Sequence, residues 1–219
     1  MQQGVNTYTN IVFDLDGTLS DPRCGIYNAI HYALNKMGVP TEAGQEFAHF
    51  IGAPLQDSFR LHYFSDADKA WMAVESFREY YGQTGLFENE LYTGVDELIV
   101  KLAEKYHLFV LTNKPKIFAD KILMNFGLHH YFQSVIGVDV GRKNESKDDL
   151  VPGLMHKHSS FAKGKTLMVG DTEYDIACAR KYNWDALAVT YGFGQKAKLV
   201  SLSPTHIANT ISELRNTLL

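Results

Sequence analysis

The chain has 219 residues, 45% of them hydrophobic and 21% charged, which is ordinary globular composition and excludes a disordered or fibrous protein. Twenty-one Lys and Arg against twenty-five Asp and Glu leave a formal charge of −4, so no overall field would hold the chain on a nucleic acid polymer or an anionic membrane. Two cysteines, Cys24 and Cys178, form no disulfide framework, and no apolar run reaches the roughly 20 residues of a spanning helix. With a polar N-terminus from Met1 to Asn10, the expected setting is the cytoplasm. Nothing in the sequence assigns an oligomeric state.

Short apolar runs alternate with stretches of helical spacing. Ile11-Val12-Phe13, Leu108 to Leu111, Ser134 to Val138, Thr166 to Val169 and Ala186 to Val189 read as strands buried on both faces of a parallel sheet. Between them lie the stripes Val95, Leu98, Ile99, Leu102 and Phe118, Ile122, Leu123, Phe126, the latter ended by Gly127. Pro115 is expected in the first turn of that second helix, and Pro152 in the first turn of a third, marked by Leu150, Val151, Leu154 and Met155. Thr210-x-x-Glu213 reads as a capping box opening a C-terminal helix. The pattern predicts an α/β fold with a doubly wound, mainly parallel, Rossmann-like sheet.

From Ser20 to about Glu90 no strand is expected. Ile26, Ile30, Ala33, Leu34 and Met37 mark one helix; Phe47, Phe50 and Ile51 a short second; Leu55, Phe59 and Leu61 a third; Trp71, Val74, Phe77, Arg78 and Tyr81 a fourth. About 70 residues exceed any crossover helix and suffice for a small domain. The expected division is an α/β core of residues 1–19 and 89–219, with residues 20–88 inserted as an α-helical cap domain. Ligands of open α/β sheets bind at the carboxyl ends of the strands, so the insert is expected over that crevice.

Four polar clusters fall at those ends. In Asp14-Leu15-Asp16-Gly17-Thr18 the two carboxylates share one side of an extended chain, which favours a hard cation beside them, and Gly17 permits a sharp turn close to a ligand. Thr112-Asn113-Lys114 offers a hydroxyl and backbone N–H groups at a helix start, which suits either an anion or simple capping. Arg142, Lys143 and Lys147 include one candidate to neutralise a phosphate. In Gly170-Asp171-Thr172-Glu173-Tyr174-Asp175, Asp171 and Asp175 share a helix face if the helix begins there, which requires a counter-charge, a cation or a lysine. Gly164-Lys165-Thr166 imitates the end of a P-loop, but Ser159 stands where its first glycine belongs and Lys165 precedes a strand. The histidines lack zinc-site spacing.

Asp14-x-Asp16-Gly17-Thr18, Thr112, the lysine and Gly170-Asp171-x-x-x-Asp175 together resemble the four motifs of the haloacid dehalogenase superfamily. The helical insert resembles its helical-cap branch, especially phosphoglycolate phosphatase-like members. Ile51-Gly52-Ala53-Pro54-Leu55 resembles that branch's cap substrate loop, and Tyr191-Gly192-Phe193-Gly194 its Gly-rich segment after the fifth strand. Two departures stand out: no Lys-Pro follows the third strand, and Thr93 precedes Gly94 where relatives often have proline. Lys147, before an apolar helix, is the preferred lysine over Lys143.

The resemblance implies a Mg2+-dependent phosphatase hydrolysing a small-molecule phosphate ester through an aspartyl-phosphate. Asp14 would be the nucleophile and Asp16 the acid and then the base. Thr112 and Lys147 would bind the phosphoryl oxygens, with Asn113 and Gly17 beside the substrate. Mg2+ would be held by the Asp14 carboxylate, the Asp16 backbone carbonyl and Asp171, and Asp175 would orient Lys147 or a water. The alternatives are a phosphotransferase such as a sugar phosphomutase, a nucleotidase, and a non-catalytic phosphate-binding protein.

Overall fold

The computed structural model describes residues 8–42, 44–51, 55–139 and 146–219, in two compact units. Residues 1–21 and 91–219 form the larger unit and 22–90 the smaller. Lys143, Arg142 and Gly52 to Pro54 lie outside the described residues.

In chain order, β1 (Tyr8–Phe13) is followed by the two-residue β2 (Ser20–Asp21) and then by the smaller unit's helices. These are α1 (Arg23–Lys36), α2 (Leu55–His62) and α3 (Ala67–Gln83). The short β3 (Glu90–Leu91) pairs with β2 as a separate ribbon. The larger unit continues with α4 (Val95–Ala103), β4 (His107–Pro115), α5 (Lys116–Asn125), β5 (Ser134–Val138), α6 (Lys147–Lys157), α7 (Ser160–Lys163) and β6 (Lys165–Gly170). It closes with α8 (Glu173–Lys181), β7 (Asp185–Val189), α9 (Lys196–Ser201), β8 (His206–Ala208) and α10 (Ile211–Leu218).

The smaller unit is built on buried helical faces. Ile26, Ile30, Ala33 and Leu34 of α1 are buried, as are Ala70, Ala73, Val74, Phe77 and Tyr81 of α3. Asp66 caps α3 by accepting the N–H groups of Asp68 and Lys69, each at 2.9 Å. The expected second helix is a single 3-10 turn, Ala48–Phe50, with Phe47 and Phe50 buried. In α2, Phe59 is buried but Leu61 is 80% exposed. Residues two apart face opposite ways on a helix, so the two cannot share a stripe.

The larger unit's sheet runs β5-β4-β1-β6-β7-β8, every pairing parallel. Such strands bury both faces: Ile11, Val12 and Phe13 are 0% exposed. From β1 the chain builds outward through β4 to β5, then returns to β6 on the other flank. β1 is therefore the point where the order reverses, and the carboxyl ends of β4, β1 and β6 lie side by side. The doubly wound, Rossmann-like α/β fold with a helical insert is the fold of this chain.

Some local expectations are corrected. β8, β2 and β3 have two or three residues each, too few to carry a period. Pro115 ends β4 and caps α5 from just outside it. Pro152 is the sixth residue of α6, not in its first turn. Proline donates no N–H to the carbonyl four residues back, and the freed Asp148 carbonyl accepts the Tyr182 hydroxyl at 2.8 Å. At α10 Thr210 accepts the Glu213 N–H at 3.1 Å, but the Glu213 carboxylate takes Asn209 rather than Thr210. Lys165 opens β6, so Gly164-Lys165-Thr166 starts a strand.

Candidate active site

Segments at or after the ends of four adjacent strands, β5, β4, β1 and β6, deliver the polar residues. Asp14 follows β1 directly, and its N–H continues the ladder onto the Val169 carbonyl of β6 at 2.9 Å. Leu15 turns into the core at 0% exposure, so Asp14 and Asp16 are left on the polar side. Gly17, at φ +85°, turns the chain, and a Cβ there would lie 2.7 Å from Asp171 Cγ and 2.8 Å from the Phe193 ring. Glycine is required at this position by conformation and by space together.

Asp171 follows β6 and is fully buried. Its Oδ2 accepts the Phe193 N–H at 2.7 Å and its Oδ1 the Thr18 hydroxyl at 3.3 Å. The segment Tyr191 to Gly194 thus closes onto Asp171, and the Tyr191 hydroxyl donates to the Thr18 carbonyl at 2.9 Å. Asp171 precedes α8 rather than sitting in it, so helical spacing does not bring it to Asp175. Asp175 folds back as the third residue of α8, where its Oδ2 accepts the N–H (2.9 Å) and hydroxyl (2.7 Å) of Thr172. That cap aims Oδ1 inward.

Lys147 opens α6, and Asn113 Oδ1 accepts its backbone N–H at 2.8 Å. Its side chain is 3% exposed and its Nζ bonds Asp14 Oδ1 at 3.2 Å and Asp175 Oδ1. Thr112 is buried, and its hydroxyl oxygen accepts the Lys114 N–H at 3.1 Å, leaving its own proton free to donate. Asp16 stands apart from the other carboxylates, its Oδ2 paired with Lys114 Nζ at 2.5 Å.

Carboxylate oxygens of Asp14, Asp171 and Asp175 all lie within 4.8 Å of one another. Three buried carboxylates face one ammonium. Burial pushes Asp14 up to about 8, with Asp175, Asp171 and Asp16 adding to the shift and Lys147 opposing it. Burial and Asp175 push Asp171 up to about 7 against the Phe193 N–H and Lys147. Burial works against the charge on Lys147, but Asp14 and Asp175 outweigh it and hold the ammonium well above its ordinary value. An all-oxygen donor set with surplus negative charge fits a hard divalent cation.

Of the residues singled out in the sequence, Asp14, Asp171, Asp175 and Lys147 meet directly. Asn113 is engaged with the backbone of Lys147, Gly17 packs against Asp171, and the Asp16 carboxylate lies on Lys114. Lys114 received no separate role from the sequence. Its position two residues past Thr112 was visible, but the irregularity that aims it is not a sequence signal.

A parallel sheet with this acidic centre at the carboxyl ends of its central strands defines a doubly wound α/β enzyme. The family described as haloacid dehalogenase-like hydrolase matches residues 11–189, and the chain belongs to it. A 5'-nucleotidase of Pseudomonas aeruginosa is 35% identical over 100% of this chain and 99% of its own. A phosphoglycolate phosphatase of Vibrio parahaemolyticus is 29% identical over 93% of each. The structure of a haloacid dehalogenase-like family protein from Streptococcus pneumoniae is 32% identical, with a TM-score of 0.85, covering 97% of this chain and 99% of that one. Among the described residues no helix is long and apolar enough to cross a membrane.

Proposed function

We propose that the chain is a Mg2+-dependent phosphatase that hydrolyses a small-molecule phosphomonoester through an aspartyl-phosphate on Asp14. The observation that carries this is the cluster of Asp14, Asp171 and Asp175 with Lys147 Nζ on two of the three. A carboxylate oxygen of Asp14 attacks phosphorus, and the bond from phosphorus to the ester oxygen breaks. Asp16 gives its proton to the departing oxygen, then takes one from the water that cleaves the phosphoenzyme, which releases phosphate and restores Asp14. Lys147 and the Thr112 hydroxyl stabilise charge on the phosphoryl oxygens. Asp175 orients Lys147, and Asn113 fixes the start of the helix that carries it. When bound by Asp14, Asp171 and the Asp16 backbone carbonyl, Mg2+ would supply positive charge that offsets the repulsion between Asp14 and the phosphate. The expected setting is the cytoplasm.

Purified protein is expected to release phosphate from p-nitrophenyl phosphate with Mg2+, to stop in EDTA, and to resume when Mg2+ is restored. Failure with every phosphomonoester, or a rate indifferent to EDTA, would overturn the reading. Two substrate classes follow from the relatives' names, a phosphoglycolate-like acid and a nucleoside 5'-monophosphate. Parallel rates on 2-phosphoglycolate and the mononucleotides decide between them. Isomerisation of a sugar phosphate without phosphate release would instead mark a phosphotransferase.

The cluster also sets a pH dependence. In the metal-free protein Asp14 and Asp171 are held at about 8 and about 7, above the roughly 3.9 of an unfolded aspartate. Their contribution to stability is therefore greatest below the unfolded value and is lost as pH rises through about 7 to 8. A bound cation reverses this, because it needs the carboxylates ionised. The gap in melting temperature between excess Mg2+ and EDTA is expected to widen from about pH 5.5 to about pH 8.5. A gap that is constant or narrows over that range would contradict the site.

A further inference from the structure

Lys114 and Asp16 form an ion pair that the catalytic scheme above leaves unexplained. The pair is 2.5 Å long, with side-chain exposures of 6% for Lys114 and 21% for Asp16. The other carboxylate oxygen, Oδ1, is buried and has no hydrogen-bond partner among the described residues. The ion pair thus anchors the carboxylate from its Oδ2 side.

A regular strand does not bring the lysine there. The pairing of β4 with β5 jumps from Thr112↔Gly137 to Pro115↔Val138, so three steps along β4 oppose one along β5. Such a bulge redirects side chains. Its backbone fills the space beside Gly137, where a Cβ would lie 2.8 Å from the Lys116 nitrogen and 2.9 Å from its Cα. The Lys114 N–H on the Thr112 hydroxyl, at 3.1 Å, fixes the bulge from within. The same irregularity places the Thr112 hydroxyl and aims the ammonium at Asp16.

We propose that Lys114 is a positioning residue that holds the Asp16 carboxylate in place for proton transfer, an inference that rests on the phosphatase reading and deepens it. Misplacing an acid by about 1 Å can lose on the order of 10²-fold in rate. The loss falls on substrates whose leaving oxygen needs a proton. An alkoxide needs one, whereas p-nitrophenolate leaves readily without it.

The test uses Lys114→Met and Lys114→Arg, each alone and combined with Asp16→Asn, in single-turnover reactions with β-glycerophosphate and with p-nitrophenyl phosphate. Lys114→Met is expected to slow phosphoenzyme formation from β-glycerophosphate by about 10- to 100-fold, with a clearly smaller loss on p-nitrophenyl phosphate. Half-saturating concentrations should stay within about threefold, Lys114→Arg should recover much of the rate, and Lys114→Met should add no loss to Asp16→Asn. Equal losses on both substrates, a rise in half-saturation at an unchanged rate, or an additive loss beside Asp16→Asn would each overturn the proposal. A melting curve accompanies every variant, and Lys114→Gln replaces the methionine variant if that one does not fold. If wild-type protein hydrolyses neither ester, or Asp14→Asn hydrolyses both normally, the phosphatase reading itself has failed, which is a separate outcome.

Discussion

Asp14→Asn is expected to lower turnover by on the order of 10⁶-fold, the range reached when a covalent nucleophile is removed from other enzymes. An amide offers no anionic oxygen, and neither Lys147 nor Asp16 can replace the missing bond to phosphorus. The same substitution is expected to leave the fold intact. Burial already pushes the Asp14 carboxyl up to about 8, so its surroundings favour an uncharged side chain when no cation is present. The variant should therefore melt in EDTA at or above the wild-type temperature, and should lose most of the rise that Mg2+ gives the wild type. Rate assays and melting curves on one preparation check both halves. Turnover within tenfold of wild type would remove Asp14 from the nucleophile's role.

Lys147→Met is expected to damage stability and rate together. Methionine matches the length of the lysine stem but brings no charge, so Asp14, Asp171 and Asp175 would face one another without the ammonium that now bonds two of them. Removing one partner of a buried ion pair typically costs about 3–5 kcal/mol. For a chain of this size that corresponds to a fall in melting temperature of roughly 10 °C in EDTA. Excess Mg2+ should return part of that loss by supplying another cation to the carboxylates. Turnover should still fall by about 10²- to 10³-fold, the usual result of deleting one group that stabilises charge in the transition state. A melting temperature and rate both close to wild type would show that the lysine neither balances the cluster nor serves the reaction.

The parallel sheet was legible because strands buried on both faces leave continuous apolar runs, such as Ile11-Val12-Phe13 and Leu108 to Leu111. Their polar ends were legible for the same reason, since each run stops abruptly at Asp14, Thr112 or Asp171. What local pattern could not supply were contacts made across the fold. Pro152 lies inside α6 because Tyr182, thirty positions on, takes the carbonyl that proline leaves free. Helical spacing linked Asp171 to Asp175, yet the two meet because a strand end and a helix cap converge. The bulge that points Lys114 at Asp16 needs Gly137 on the neighbouring strand, a relation no window along β4 contains. Leu61 fell outside its expected core because its neighbour Phe59 already set the inward face of α2.

Acid quenching of protein mixed with 32P-labelled substrate and Mg2+ reads a covalent bond between phosphorus and Asp14 directly. The expected result is label on the peptide containing Asp14, appearing within a single turnover, discharging on a chase with unlabelled substrate, and absent from Asp14→Asn. Substrate turned over at full rate with no protein-bound phosphate at any quench time, or with label on another residue, would contradict the account.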